Sequence, residues 1–340
     1  MSSKPIMYTS RDTGSLQINQ IAVNYMWADT FKKILVSALV TGYGDKKPAG
    51  WKLVHEHKNG FTLCNKSETF FFNFVSGLPA QGKYPAMHNW IAHVYASTGF
   101  AGSDGGKMIG ANLCSGTFRE GYYESSNYSR HSLRCDYVFW PALSPWWSIV
   151  ADESTFVFNA TSESPNASSG KEGSPRVETM TLYVGKATSF TGIDVNVILG
   201  GDTAGYSGTM ENYGISSRGF TMPINPINGL SESVDRQSIF PDDESNPRSG
   251  GVNYGVIPYI ELCSPNIILN NSAVVGNLRG VVNNPFLGKN SNWMGYLEQL
   301  GHEPVYENTN KIKVVDGYNY CYARQASCGG IYMTDNPGFW

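Results

Sequence analysis

The sequence predicts a mainly β protein with one N-terminal amphipathic helix, its strands forming a β-sandwich or barrel-like sheets with long irregular loops. Three observations predict it. Short apolar runs alternate with period two along most of the chain. Thirty-seven glycines and seventeen prolines interrupt those runs at close intervals. Only one stretch sustains a helical period. At 340 residues the chain can bury one large core or two ordinary ones.

That helical stretch is ADTFKKILVSALVTGYG, residues 28 to 44. Phe31, Ile34, Leu35, Ala38 and Leu39 recur at the i, i+3, i+4, i+7, i+8 spacing of one buried face, which predicts a helix over 28–41. Asp29 is a candidate N-cap and Gly42 a natural stop.

The strands follow in order. In WKLVHEHKNGFTLCN, 51 to 65, a three-residue Lys58-Asn59-Gly60 loop keeps Trp51, Leu53 and His55 on the face of Phe61 and Leu63, with Gly60 left-handed at a bulge. TFFFNFV, 69 to 75, puts Phe70, Phe72 and Phe74 on one face and Phe71 and Val75 on the other; it reads as a central strand covered on both sides, one of them by the helix. HNWIAHVYA (88–96) and CDYVFW (135–140) come next, then PWWSIVADESTFVF (145–158), a tight hairpin with an aromatic foot. The polar stretch 161–175 reads as an exposed loop. ETMTLYVG (178–185) and DVNVILG (194–200) resume the strand pattern. Residues 201–255 are rich in Gly, Pro, Asn and Ser and read as a long functional or neighbour-ordered loop. Strands return in YGVIPYIELC, NNSAVVGNLRGVV, KIKVVDGYNYCYAR and GGIYMTDNPGFW. This divides the chain into an N-terminal β-rich region, 1–160, the loop 161–175, and a C-terminal β-rich region, 176–340, or leaves it as one continuous domain.

Charge and composition exclude several function classes. The 25 basic and 28 acidic residues are well mixed, so no basic stripe points to nucleic acid. No apolar run is long enough to span a membrane, and the first residues lack the apolar core of an export signal. Cys64, Cys114, Cys135, Cys263, Cys321 and Cys328 are scattered without a C-x-x-C pair, which excludes a zinc knuckle or redox motif. They read as buried free thiols, with a Cys321–Cys328 disulfide as the alternative. Twenty tyrosines give an amphipathic aromatic surface suited to life inside an assembly or to an ordinary loop-rich β protein.

Motifs of catalysis are not found. AGSDGGKMIG, 101 to 110, imitates a phosphate loop, but Ala101 stands at the first glycine and Met108 follows Lys107, so it reads as a mobile loop. His55 and His57 share a strand face at metal-chelating spacing, yet no third ligand is tied to them. Asp242, Asp243 and Glu244 lack the alternation of an EF-hand and read as a solvated acidic turn. No nucleophile elbow or H-E-x-x-H helix occurs. No catalytic residue, cofactor or metal site is assigned.

Several segments, in order over nearly the whole chain, resemble a family of tailed-bacteriophage virion structural proteins. They are ILVSALVTGYG followed by Gly50-Trp51, the hairpin WWSIVADESTFVF, LYVGKATSF, the Arg-Gly step of LRGVVNNPF at Arg279, and GGIYMTDNPGFW. Gly185-Lys186 departs from the family's usual Gly-Asp. The resemblance implies a non-enzymatic virion component of the neck, collar or tail, assembled in the host cytoplasm. Its partners would be its own copies, in a symmetric oligomer, and other virion proteins. Trp140, Trp146, Trp147 and Trp340 are then the candidate interface residues, with internal core packing the other reading of each. A tail adhesin that binds a receptor or glycan through the tyrosines of GYYESSNYSR is the alternative function.

Overall fold

The computed structural model describes residues 4–17, 27–57, 60–76, 91–104, 107–115, 132–134, 146–164, 176–202, 220–234, 264, 266–268, 273–282, 312–325 and 329–340. The chain is mainly β, with one α-helix among those residues. In order come β1 (Ile6–Thr9), α1 (Trp27–Val36), β2 (Lys52–His57), β3 (Gly60–Cys64), β4 (Phe71–Ser76) and β5 (Ile91–Ser97). A small hairpin of β6 (Gly102–Asp104) and β7 (Lys107–Ile109) leads to β8 (Cys114–Ser115) and β9 (Ser132–Arg134). The long strands follow: β10 (Trp146–Ala151), β11 (Thr155–Ser164), β12 (Arg176–Ser189) and β13 (Val195–Asp202). Then come β14 (Phe220–Met222), β15 (Glu232–Val234), β16 (Asn266–Ile268), β17 (Val274–Asn277), β18 (Val281–Val282), β19 (Ile312–Val315), β20 (Tyr318–Gln325) and β21 (Gly329–Thr334).

These build a sandwich of antiparallel sheets. A nine-stranded sheet runs β1-β10-β11-β12-β13-β14-β15, with β17 on the end of β12 and β16 on β17. A six-stranded sheet, β2-β3-β4-β5 with β8 and β9 on β5, lies on one side of it, and the four-stranded sheet β18-β21-β20-β19 on the other. No sheet closes into a barrel among the described residues.

Strand alternation sends the large sheet's side chains into two cores. Tyr8, Trp147, Ile149, Phe156, Phe158, Leu182 and Val184 face α1 and the phenylalanines of β3 and β4. Met7, Val150, Val157, Tyr183 and Val197 face Cys321, Met333, Val275 and Val281. A sheet buried on both faces explains why most of β10 and the Phe156–Phe158 stretch of β11 are apolar on both faces.

The helix buries the five residues its spacing singles out, each fully inaccessible. Phe31 is its anchor, with its ring 5.1 Å from Phe158 and 5.2 Å from Phe74. The last turn, Ser37–Thr41, widens to a π-helix and stops at Gly42, whose φ is 77°. The next chain segment satisfies its orphan carbonyls: Ala49 N–H donates to Ala38, and Gly50 and Trp51 N–H donate to Leu39. Asp29 lies inside the first turn, because the helix begins at Trp27, so it acts on the helix dipole and is not the N-cap.

The β2–β3 hairpin differs from the expected one. His57 pairs with Gly60, which is therefore a strand residue without a left-handed φ. Glycine is needed there for room, since a Cβ would sit 2.1 Å from the Phe74 carbonyl oxygen. The register shift falls between Leu53 and His55, so Leu53 shares the face of Leu63 as expected, pairing with it directly, while His55 moves opposite Thr62. β4 is the expected central strand: Phe70, Phe72 and Phe74 face α1, and Val75 packs beneath Met108 of the small hairpin. Within 101–110, Gly102–Asp104 pairs with Lys107–Ile109, Asp104 opposite Lys107, where a mobile loop is expected; 105 and 106 lie outside the described residues.

Residues 161–164 continue β11 and are not part of an exposed loop; 165–175 lie outside the described residues. β11 and β12 pair from Thr155↔Gly185 to Ser164↔Arg176, so one sheet runs across the expected boundary. Within 201–255, β14 and β15 form a short hairpin and most of the remainder lies outside the described residues. CDYVFW and YGVIPYIELC lie outside them too.

Candidate functional site

The turn between β10 and β11 builds the most connected polar site among the described residues. Asp152 is buried at 1% exposure and closes the turn, with Oδ1 accepting from Ser154 N–H at 2.8 Å and Thr155 N–H at 2.8 Å. This is an Asx-type closure, in which an aspartate side chain supplies the acceptor a tight turn lacks. Its Oδ2 accepts from Arg279 Nη2 at 2.6 Å. Arg279 Nη1 donates to Ser154 Oγ at 2.8 Å and Thr155 Oγ1 at 3.3 Å. The ion pair is thus satisfied on both sides, the condition under which a buried pair is tolerated.

Other segments converge on it. Trp51 Nε1–H donates to the Asp152 carbonyl at 2.9 Å. Tyr183 hydroxyl donates to the Lys186 carbonyl at 2.8 Å and accepts from Arg279 N–H at 3.1 Å. Burial pushes that phenol far above its ordinary pKa, so it stays a neutral donor. Gly185 lets the turn back onto β12, since a Cβ there would meet the Ser154 carbonyl oxygen at 2.2 Å. Arg279 lies 5.3 Å from the Trp340 ring centroid, and Gly280 turns beneath that ring with φ of 66°. The sequence segments quoted above, Gly50-Trp51, WWSIVAD, LYVGK, LRG and NPGFW, all supply a residue.

Beside this hub opens a cavity of about 590 Å³. The β3–β4 turn, Asn65 to Thr69, forms one wall; Lys186 to Ser189, Asp194 and Asn196 form another, and Trp340 a third. Charges on the walls are matched: Lys186 Nζ lies 2.5 Å from Asp194, and Lys66 Nζ lies 2.7 Å from Glu153.

No protein-family model, curated protein or solved structure matches the chain.

The candidate interface tryptophans separate. Trp147 is wholly buried, donating from Nε1 to the Leu16 carbonyl at 2.9 Å and meeting Tyr43 edge-on, so internal packing takes it and it offers no surface to a neighbour. Trp146, on the opposite face, is 38% exposed and lies under the Arg11 guanidinium, 4.3 Å from the ring centroid. Trp340 is held by its Nε1–H bond to the Thr334 carbonyl at 2.7 Å and by contact with Gly280. Trp140 lies outside the described residues.

His55 and His57 sit with ring centroids 5.7 Å apart, and His55 Nε2 is 3.1 Å from Ser103 Oγ. Burial, with His55 adding to it, lowers the His57 pKa. Among the described residues no three His, Cys, Asp or Glu side chains gather as metal ligands. Cys64, Cys114 and Cys321 are buried free thiols. Cys328, Asp242, Asp243, Glu244 and the tyrosines of 121–130 lie outside the described residues.

Sequence reasoning picked out Asp152 and Arg279 as parts of separate motifs and missed that they bond. The available signal was an arginine inside an apolar strand pattern, since a buried guanidinium demands a carboxylate.

Proposed function

We propose that this chain is a non-enzymatic structural component of a tailed-bacteriophage virion, in the neck, collar or tail, acting through contacts with its own copies and with other virion proteins. One observation carries the reading. Segments that resemble the phage family, scattered between positions 50 and 340, meet at a single buried hub around Asp152. A set of weak motifs that share one packing role is a coherent fold signature, whereas chance matches would scatter through the fold.

A second feature suits a role played through surfaces. The β12–β13 turn lies at one end of the large sheet, and β14, antiparallel to β13, returns the chain to that end. Phe190 at 58% and Leu230 at 66% exposure stand there with Ile193 and Ile227, and Val274 adjoins them through the Phe190 N–H bond to Val275. Clustered exposed apolar side chains of this kind mark contact surfaces.

Peptide mass spectrometry and cryo-electron microscopy of purified particles of the encoding phage test the proposal. The expected result is the chain in stoichiometric amount, in a symmetric ring of the neck or tail. Its absence from the particle overturns the reading.

A further inference from the structure

We infer that the cavity beside the Asp152–Arg279 hub is a binding site for a neutral saccharide. Its volume, about 590 Å³, lies within the range of small-molecule sites. Its chemistry selects the ligand class.

Among the described residues that line it, every charged side chain is paired. Glu153 holds Lys66, Asp194 holds Lys186 and Asp152 holds Arg279. An ionic ligand would compete with these pairs, whereas a neutral polar one leaves them intact. Neutral groups remain. Register places Asn196 directly opposite Lys186 on β12, and Thr188 lies two residues along on the same face. Neither the Thr188 hydroxyl nor the Asn196 amide has a partner among the described residues. Hydroxyl and amide groups both donate and accept, as sugar hydroxyls do.

The third component is Trp340. It lines the cavity with its indole N–H already taken by the Thr334 carbonyl. An indole beside hydroxyl and amide groups suits a pyranose, which has one C–H face and a hydroxyl rim. A purely apolar ligand would leave Thr188 and Asn196 desolvated without partners.

Saturation-transfer NMR on the full chain, with maltose, cellobiose and chitobiose as separate probes, tests this. At least one should receive saturation, and Asn196→Ala or Thr188→Val should weaken its binding by about tenfold. Thr188 is exposed, Asn196 is half-buried and neither belongs to a core, so these variants keep the fold where Trp340→Ala, a stronger test, could disturb the hub. No transfer to any probe, or transfer unchanged in both variants, overturns the inference. So does protection of this end from deuterium exchange that follows protein concentration and ignores the sugars; the cavity would then be a contact between copies. The inference stands apart from the virion reading: a chain present in the particle that binds none of the probes overturns only the saccharide site.

Discussion

Asp152 and Arg279 are 127 positions apart in the chain and 2.6 Å apart in the fold. The carboxylate is 1% and the guanidinium 9% exposed, so water does little to support either charge alone. Each is instead completed by the β10–β11 turn, through Ser154 and Thr155. The pair ties the large sheet to the chain entering the four-stranded one.

Arg279→Met should therefore destabilise the protein by about 3–5 kcal/mol, because it strands a buried carboxylate. Arg279→Lys should recover only part, since an ammonium cannot bridge Asp152, Ser154 and Thr155 together. Urea denaturation checks both, and the Asp152→Asn/Arg279→Met double variant should cost less than the sum of its singles.

Gly280→Ala tests the seat of Trp340. The residue has φ of 66°, and a Cβ would lie 2.3 Å from the indole ring. Strain in that region alone amounts to about 1–3 kcal/mol. A lowered thermal midpoint with altered tryptophan fluorescence is expected; a change in midpoint alone would mean that the ring does not move.

Phe31→Ala should remove the wedge between helix and sheets. Phe31 meets Phe61, Phe74 and Phe158 and is fully buried. Loss of an aromatic side chain in such a setting costs about 3–5 kcal/mol. Chemical denaturation reads that cost.

Alkaline pH should weaken the fold in a defined window. Burial pushes the Cys321 thiol up to about 11 from an ordinary 9.0. The folded chain keeps a proton that the unfolded chain releases, so stability is fully present below pH 9 and drains as pH rises through about 11. Burial of Tyr95, pushed up to about 12, extends the loss. Urea midpoints across this range should fall, and peptide mapping after iodoacetamide treatment should find Cys321 unlabelled in the native protein at neutral pH.

Much of the fold was legible because burial imposes periodicity. Phe31 to Leu39 mark the helix face, and Phe70 to Phe74 mark a strand covered on both sides, as found. The β2–β3 register was misjudged because Gly60 serves proximity to Phe74 and not turn geometry, a distinction that lives in the neighbouring strand. Trp146 and Trp147 were indistinguishable as a pair, although strand alternation sends one to the surface and one to the core. The cavity was invisible, since Asn196, Thr188 and Trp340 share no sequence pattern and meet only through pairing of β12 with β13 and the path of the chain past Arg279.

The hub also orders events during synthesis. When the β10–β11 hairpin leaves the ribosome, Asp152 has a turn to close but no cation to face, and the arginine that neutralises it is still 127 residues away. Long-range closure of this kind slows folding and leaves intermediates exposed. The nascent sheet must wait with an open flank, which makes that interval the stage at which a chaperone would matter most.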